Sequence, residues 1–267
     1  MRHTRYFITV CFLLYSLRAY AFDGEEKETV FQTSTIEALI DGMYDGDMTF
    51  SRLGLHGDFG IGTFNALDGE MVCLAGGFYQ IKGNGAVSPV TGDMKTPFAV
   101  MTFFEPDMEQ ELKDINGIEE VERGIVSLFP SRNIFYAVKI TGLFRSMRVR
   151  SVRARTRPYP ALTEAVKDQS VFEFRDIRGT VVGFWCPDFI KGVNVPGFHF
   201  HFISEDRSSG GHLLDCDIAR CRLELDYTSG FLMELPGTDD FLKMDLGNEK
   251  KAEIHYVEKG AGEEDHD

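Results

Sequence analysis

Two periodicities of apolar and polar positions share this chain, and the change from one to the other falls near its middle. Ser34-Thr35-Ile36-Glu37 has the form of a helix start, a hydroxyl followed by a glutamate that can satisfy free backbone amides. Ile36, Leu39, Ile40 and Met43 then recur at the spacing of one helical face, which predicts a short helix ending near Gly46. Over residues 59–81 the texture becomes apolar runs punctuated by glycine. There Leu67-Asp68-Gly69-Glu70 reads as a tight turn joining residues 62–64 to residues 71–74 in a hairpin. Residues 98–104 predict a strand and residues 118–128 a helix halted by Pro130. Residues 133–141 and 147–152 read as paired strands, and residues 161–168 as a third short helix after Pro160. Beyond this point six further strands are expected, at residues 171–174, 179–185, 197–203, 212–218, 222–226 and 230–235, separated by Gly, Pro, Asp and Ser clusters.

Short strands at this spacing favour a mostly antiparallel sheet or a small barrel. The predicted fold is therefore α/β (α+β) in two parts. An N-terminal mixed sheet with helices spans residues 22–157, and a β-rich, metal-binding part spans residues 158–260. The division falls near residues 155–160, where two prolines and a helix interrupt the strands, and residues 261–267 form an acidic tail.

Residues 1–21 stand apart from this pattern. Arg2 and Arg5 precede an apolar run over residues 6–17 that is too short to span a bilayer, and Ala19-Tyr20-Ala21 offers small residues where an export peptidase reads. The expectation is a signal peptide cut between Ala21 and Phe22, and a periplasmic or secreted product. Its loss would take the formal charge from −14 to −17, because it holds three arginines and no acid.

Composition narrows the partners. With 267 residues and 43% hydrophobic positions the chain can bury a sizeable core. Its 42 acids against 28 Lys and Arg, the latter dispersed, argue against nucleic acid and against anionic membranes. Cys73, Cys186, Cys216 and Cys221 remain after the leader. In an oxidising compartment they could pair, Cys216 with Cys221 across a tight connection, or could serve as small buried hydrophobes. Without a C-x-x-C pair, a thiolate zinc site is not expected.

The chemistry concentrates in Gly197-Phe198-His199-Phe200-His201-Phe202. Alternate side chains of a strand share a face, so His199 and His201 project together while the three phenylalanines bury on the other side. After a turn through Ser204 to Gly211 the chain enters His212, which a returning strand could set beside them. Three neutral imidazoles on rigid strands make a zinc site with open coordination positions. The plainer reading of a His-x-His pair is two polar residues on a wet face; the third histidine favours the metal. No Gly-x-Ser-x-Gly elbow and no phosphate-cradling loop competes.

Further residues join in order: Thr63-Phe64, Leu67-Asp68-Gly69-Glu70, Phe78-Tyr79-Gln80, Arg150-Ser151-Val152, Arg178-Gly179-Thr180, the histidine pair with Ser209-Gly210-Gly211-His212, and Glu258-Lys259-Gly260. Across residues 35–260 the sequence resembles the alpha-acetolactate decarboxylase family. The resemblance implies Zn2+ held by His199, His201 and His212, catalytic glutamates at Glu70 and Glu258, and a carboxylate-binding arginine at Arg150. It also implies conversion of (S)-2-acetolactate to (R)-acetoin and CO2, through a metal-chelated enediolate protonated by a glutamate, without an organic cofactor. A tendency toward homodimers comes with it. By local pattern alone Glu70, Glu258 and Arg150 would be ordinary surface charges. The leader and the cysteines depart from many relatives.

Two other readings stand beside this one. His199-x-His201 followed by Glu205 echoes half of a cupin pattern, as in an iron dioxygenase, although the second cupin element is missing. An exported metal- or sugar-binding β module without turnover would leave Arg150 and Glu70 with no role.

Overall fold

The computed structural model describes residues 28–247 and 250–259. The expected leader and acidic tail lie outside them. Fourteen strands run in chain order as β1 (Thr29–Thr33), β2 (Met48–Thr49), β3 (Phe59–Thr63), β4 (Glu70–Leu74), β5 (Gly77–Ile81), β6 (Val87–Pro89), β7 (Lys95–Thr96), β8 (Ala99–Thr102), β9 (Met108–Asn116), β10 (Phe135–Ser151), β11 (Ser170–Cys186), β12 (Gly197–Ser204), β13 (Gly210–Thr228) and β14 (Gly230–Glu234). Six helices punctuate them: α1 (Ile36–Ile40), α2 (Phe50–Leu53), α3 (Ile118–Val126), α4 (Leu162–Ala165), α5 (Asp239–Leu242) and α6 (Lys251–Lys259). None is long and apolar enough to cross a membrane.

The mixed α/β architecture resolves into two main sheets. The first has seven strands in the order β14-β1-β8-β3-β4-β5-β6, and the second has five in the order β10-β11-β12-β13-β9. In the second, β10 also pairs with β13, so β10 to β13 close on themselves as a small barrel. The expected division at 157/158 does not follow the sheets. β9 and β10 precede it yet belong to the second sheet, and β14 follows it yet pairs in parallel with β1 in the first.

Local chemistry explains the elements that position the site. Thr35 caps α1, its hydroxyl accepting from the Ala38 amide at 3.2 Å, so the helix starts where the pattern placed it, although it ends earlier, at Ile40. The hairpin of β3 and β4 sets Thr63 opposite Glu70. Its connection needs Gly69, whose φ is +91° and where a Cβ would collide with the Ile81 carbonyl. Glu70 consequently opens β4 instead of sitting in the turn.

Three expected strand pairs are corrected. Residues 133–141 and 147–152 are not partners but two ends of the single strand β10. Residues 171–174 and 179–185 likewise share β11, and residues 212–218 and 222–226 share β13. Register shifts at Leu143/Phe144, Phe144/Ser146 and Arg148/Val149 mark bulges in the β10–β13 ladder. A bulge breaks alternation as a turn does, but bends the strand without reversing it. β9 escaped the pattern because it is an edge strand, Met-Glu-Gln-Glu-Leu-Lys-Asp-Ile-Asn, in which Leu112 alone is buried.

Burial follows the pleat. Val72 of β4 faces a core between the two sheets, with Phe59, Ile61, Val182, Phe184 and Ile203, whereas Met71 and Cys73 face a separate core on the far side of the first sheet. Phe198, Phe200 and Phe202 fill the interior of the second sheet. All four described cysteines are buried and unpaired. Cys216 and Cys221 lie on one strand, where five residues span roughly 16 Å, too far for a disulfide. Burial pushes the thiols of Cys186 and Cys221 up to about 12, so both are inert at neutral pH.

One buried acid makes the stability depend on pH. Asp226 of β13 is 1% exposed and accepts from the Glu105 amide at 3.1 Å. Burial first, then the nearby acids Asp107, Glu28 and Glu105, push its carboxyl up to about 7 against the opposing Glu105 hydrogen bond. A carboxyl whose folded pKa exceeds its unfolded one costs nothing at pH 3. It destabilises progressively as pH rises toward 7, because the unfolded chain ionises first. At about 1.4 kcal/mol per pH unit, the ceiling is about 4 kcal/mol. Asp226→Asn keeps the acceptor and removes the charge. It is expected to raise the midpoint of thermal unfolding at pH 8 by about 5 °C or more and to leave it unchanged at pH 4. Calorimetry showing parallel pH profiles for the two proteins would contradict this.

Candidate active site

The two sheets meet where the inter-sheet core gives way to polar side chains. His201 alternates with Ile203, Arg150 with Val152 and Glu70 with Val72, and each of these apolar neighbours lies in the inter-sheet core. Three strands thus turn their polar positions into one space. His201 stands directly opposite His212 across the β12–β13 ladder, and His212 in turn opposite Arg150 across β13–β10. The ring centroids of His199, His201 and His212 are 5.0–5.4 Å apart, and one nitrogen from each lies within 4.8 Å of the others.

Glu258 arrives from the other end of the chain on α6. Ile254 and Val257 of that helix are buried in the inter-sheet core, and Lys250 just before it pairs with Asp41. The Glu258 carboxylate then sits 3.7 Å from His199 Nε2 and 3.8 Å from His212 Nε2. Glu70 approaches from the opposite sheet, 3.6 Å from His201 Nε2. All six residues singled out in the sequence line one cavity, together with Thr63, Leu67 and Phe98. Glu205 does not join them: it is exposed in the turn between β12 and β13, which leaves the cupin reading without its acid.

Some of what supports the site was invisible in the sequence. The Met71 carbonyl accepts from His201 Nδ1 at 2.8 Å, which leaves the Nε2 lone pair of the neutral ring facing the cavity. Gln169 Oε1 accepts from Arg150 Nη1 at 3.0 Å. The pattern predicts no helix at α6, where Ile254 and Val257 are the buried apolar positions and Tyr256 packs beside them.

The electrostatics suit a metal. Burial, followed by the Arg150 charge, pushes His199 down to about 3. His201 is held well below the usual imidazole range by burial and then by His199. For His212 the causes are burial and then Arg150. All three rings are neutral at pH 7, so their approaches to Glu70 and Glu258 are not ion pairs. Burial pushes Glu70 up to about 7, with Arg150 opposing and Glu258 reinforcing.

Two buried ring nitrogens, His199 Nδ1 and His201 Nε2, have no hydrogen-bond partner among the described residues. Orphaned buried polar atoms are costly, and a cation among three imidazoles is a partner that the cavity-facing Nε2 of His201 fits. The fold and site together define a class: a protein with a small buried cavity whose three imidazoles could hold a metal ion.

Comparison with known proteins narrows that class. The family model described as alpha-acetolactate decarboxylase matches residues 30–248. The chain is 48% identical over 233 residues to the alpha-acetolactate decarboxylase of Methanosarcina mazei, covering 87% of this chain and 81% of that one. To the enzyme of that name from Brevibacillus brevis it is 43% identical over 240 residues, 90% of this chain and 84% of the other. The crystal structure of alpha-acetolactate decarboxylase from Bacillus subtilis strain 168 superimposes with a TM-score of 0.85 at 41% identity, covering 87% of this chain and all of that one. This chain belongs to the alpha-acetolactate decarboxylase family and is a carboxy-lyase.

Proposed function

We propose that this enzyme converts (S)-2-acetolactate to (R)-acetoin and CO2 with one Zn2+ held by His199, His201 and His212, a glutamate returning the proton. The observation that carries the reading is the triad of neutral imidazoles whose ligand nitrogens lie within 4.8 Å of one another, with an orphaned Nε2 on His201, flanked by the buried Glu70, the half-buried Glu258 and a buried arginine. Bound there, zinc would supply Lewis-acid stabilisation of the charge that develops on the substrate oxygens, worth several kcal/mol.

The chain's own residues do the rest. Arg150 is 4% exposed and carries the charge that suits the substrate carboxylate. Gripping that carboxylate tightly favours the ground state over neutral CO2, so by differential binding alone the contact would slow the step. Its contribution is orientation: a planar fork holds the breaking C–C bond perpendicular to the adjacent carbonyl plane, where the released electron pair overlaps the π system. That bond breaks, CO2 departs, and the electron pair left on the substrate takes up one proton.

Glu70 is placed to give that proton. It projects from the first sheet, opposite the three histidines, and so reaches one face of a molecule lying between them. Delivery from one side yields acetoin of one hand. Glu258 borders both this cavity and a wide groove running past Trp185 and Phe198, so it links the buried site to solvent and can restore the proton.

Stripping the metal with a chelator tests the zinc assignment. Turnover is expected to fall by at least about 10³-fold and to return on addition of about one equivalent of Zn2+, with elemental analysis following the metal. Full turnover in metal-free protein would end the proposal.

A further inference from the structure

We propose that Gln169 is a positioning residue for Arg150: its uncharged acceptor engages Nη1 and leaves the Nε–Nη2 edge of the guanidinium to receive the substrate carboxylate. The proposal rests on the reading of Arg150 given above and adds which edge of the fork works and what aims it.

Gln169 sits at the end of the helical turn Val166–Asp168, its backbone N–H bonded to the Val166 carbonyl at 3.2 Å, immediately before β11. Arg150 faces Val171 and Ser151 faces Ser170 across the β10–β11 ladder, so Gln169, just past Ser170 and two residues from Val171, lies diagonally from Arg150. Its Oε1 lies 3.0 Å from Nη1. Arginine has no acceptor, so the amide must turn its oxygen and not its nitrogen toward the guanidinium.

A guanidinium offers two bidentate edges. Nη1 is cis to Cδ and belongs to the end-on edge shared with Nη2; Nε belongs to the side-on edge, also shared with Nη2. Gln169 engages Nη1, the corner that only the first edge contains. Nε is buried with no hydrogen-bond partner among the described residues, so the second edge carries a desolvated donor that lacks an acceptor. A buried donor without an acceptor is a place where an anion is awaited.

The choice of an amide also has a reason. A glutamate here would pair with Arg150, neutralise it and compete with the carboxylate it has to grip. An apolar residue would leave the ring of donors free to rotate. Glutamine holds one corner and leaves the charge undiminished.

The test compares Gln169→Glu, Gln169→Met and Arg150→Met with the parent in the metal-replete full chain, with circular dichroism confirming the fold. Each is assayed for KM and kcat, and for inhibition by 2-hydroxy-2-methylpropanoate, an anion, and by 2,3-butanediol, which is neutral. Gln169→Glu is expected to raise KM about tenfold or more and to weaken the anion about tenfold, with the diol changed less than about twofold. Gln169→Met should show the same anion-selective loss at smaller size, and it carries the test alone should the glutamate variant fail to fold. Parallel weakening of both inhibitors would reduce Gln169 to a structural role and overturn the proposal. So would unchanged constants in both Gln169 variants beside an anion-selective loss in Arg150→Met, which would leave the reading of Arg150 intact. If Arg150→Met itself keeps KM and anion affinity, both fall.

Discussion

Replacing His199 and His201 together by alanine is expected to abolish metal binding and to lower kcat/KM by about 10⁴-fold or more while the fold persists. On the proposed zinc site two of three ligands leave, and a single imidazole cannot hold a zinc ion against water. If Lewis-acid stabilisation contributes about 5–6 kcal/mol to the transition state, its loss corresponds to that factor. The structural cost is small by comparison. The packing of β12 comes from Phe198, Phe200 and Phe202 on its other face, which the substitutions leave in place. The Met71 carbonyl loses the donor from His201 Nδ1, worth about 1 kcal/mol. Elemental analysis, circular dichroism and the initial rate on 2-acetolactate together decide the matter: a folded, metal-free variant with parental turnover would remove the triad from the reaction.

Glu70→Gln should lower kcat by about 10²- to 10⁴-fold with KM changed only a few-fold, the range for losing a general acid. The amide fills the same volume between β4 and His201 and keeps an acceptor, but it has no acidic proton to give. Because the proton would then come from solvent, the residual acetoin should lose its optical purity. Chiral chromatography of the product therefore separates a proton donor from a residue that merely shapes the pocket. If the variant makes (R)-acetoin at the parental rate, another group delivers the proton. Glu258→Gln provides the contrast: its loss should slow turnover while the product keeps its hand.

Much of the site could be read before any coordinates, for a local reason. Period-2 alternation from Phe198 to Phe202 decides that His199 and His201 share a face, and no distant contact is needed to know it. Glu70 is not legible in this way, because it reads as part of a turn, and only its place at the start of β4 puts it on the face of Val72, as the strand β10 puts Arg150 on that of Val152. Alternation could not say which faces meet. Long strands were read as broken ones for a related reason: the bulges of β10 interrupt alternation as a turn would, and only the ladder with β13 shows that the chain continues.

By itself, then, the sequence determined where several of the elements begin, the pairing of two imidazoles and, through ordered motifs spread over most of its length, the family. Tertiary structure decided that α6, two apolar anchors on an otherwise polar segment, docks between α1 and α4 and carries Glu258 to the histidines. It also decided that Gln169 aims Arg150, that four cysteines stay apart and that the two sheets interleave across the expected boundary. Each of these depends on contacts between residues far apart in the chain, whose energy comes from burial and register with partners that no window of sequence contains.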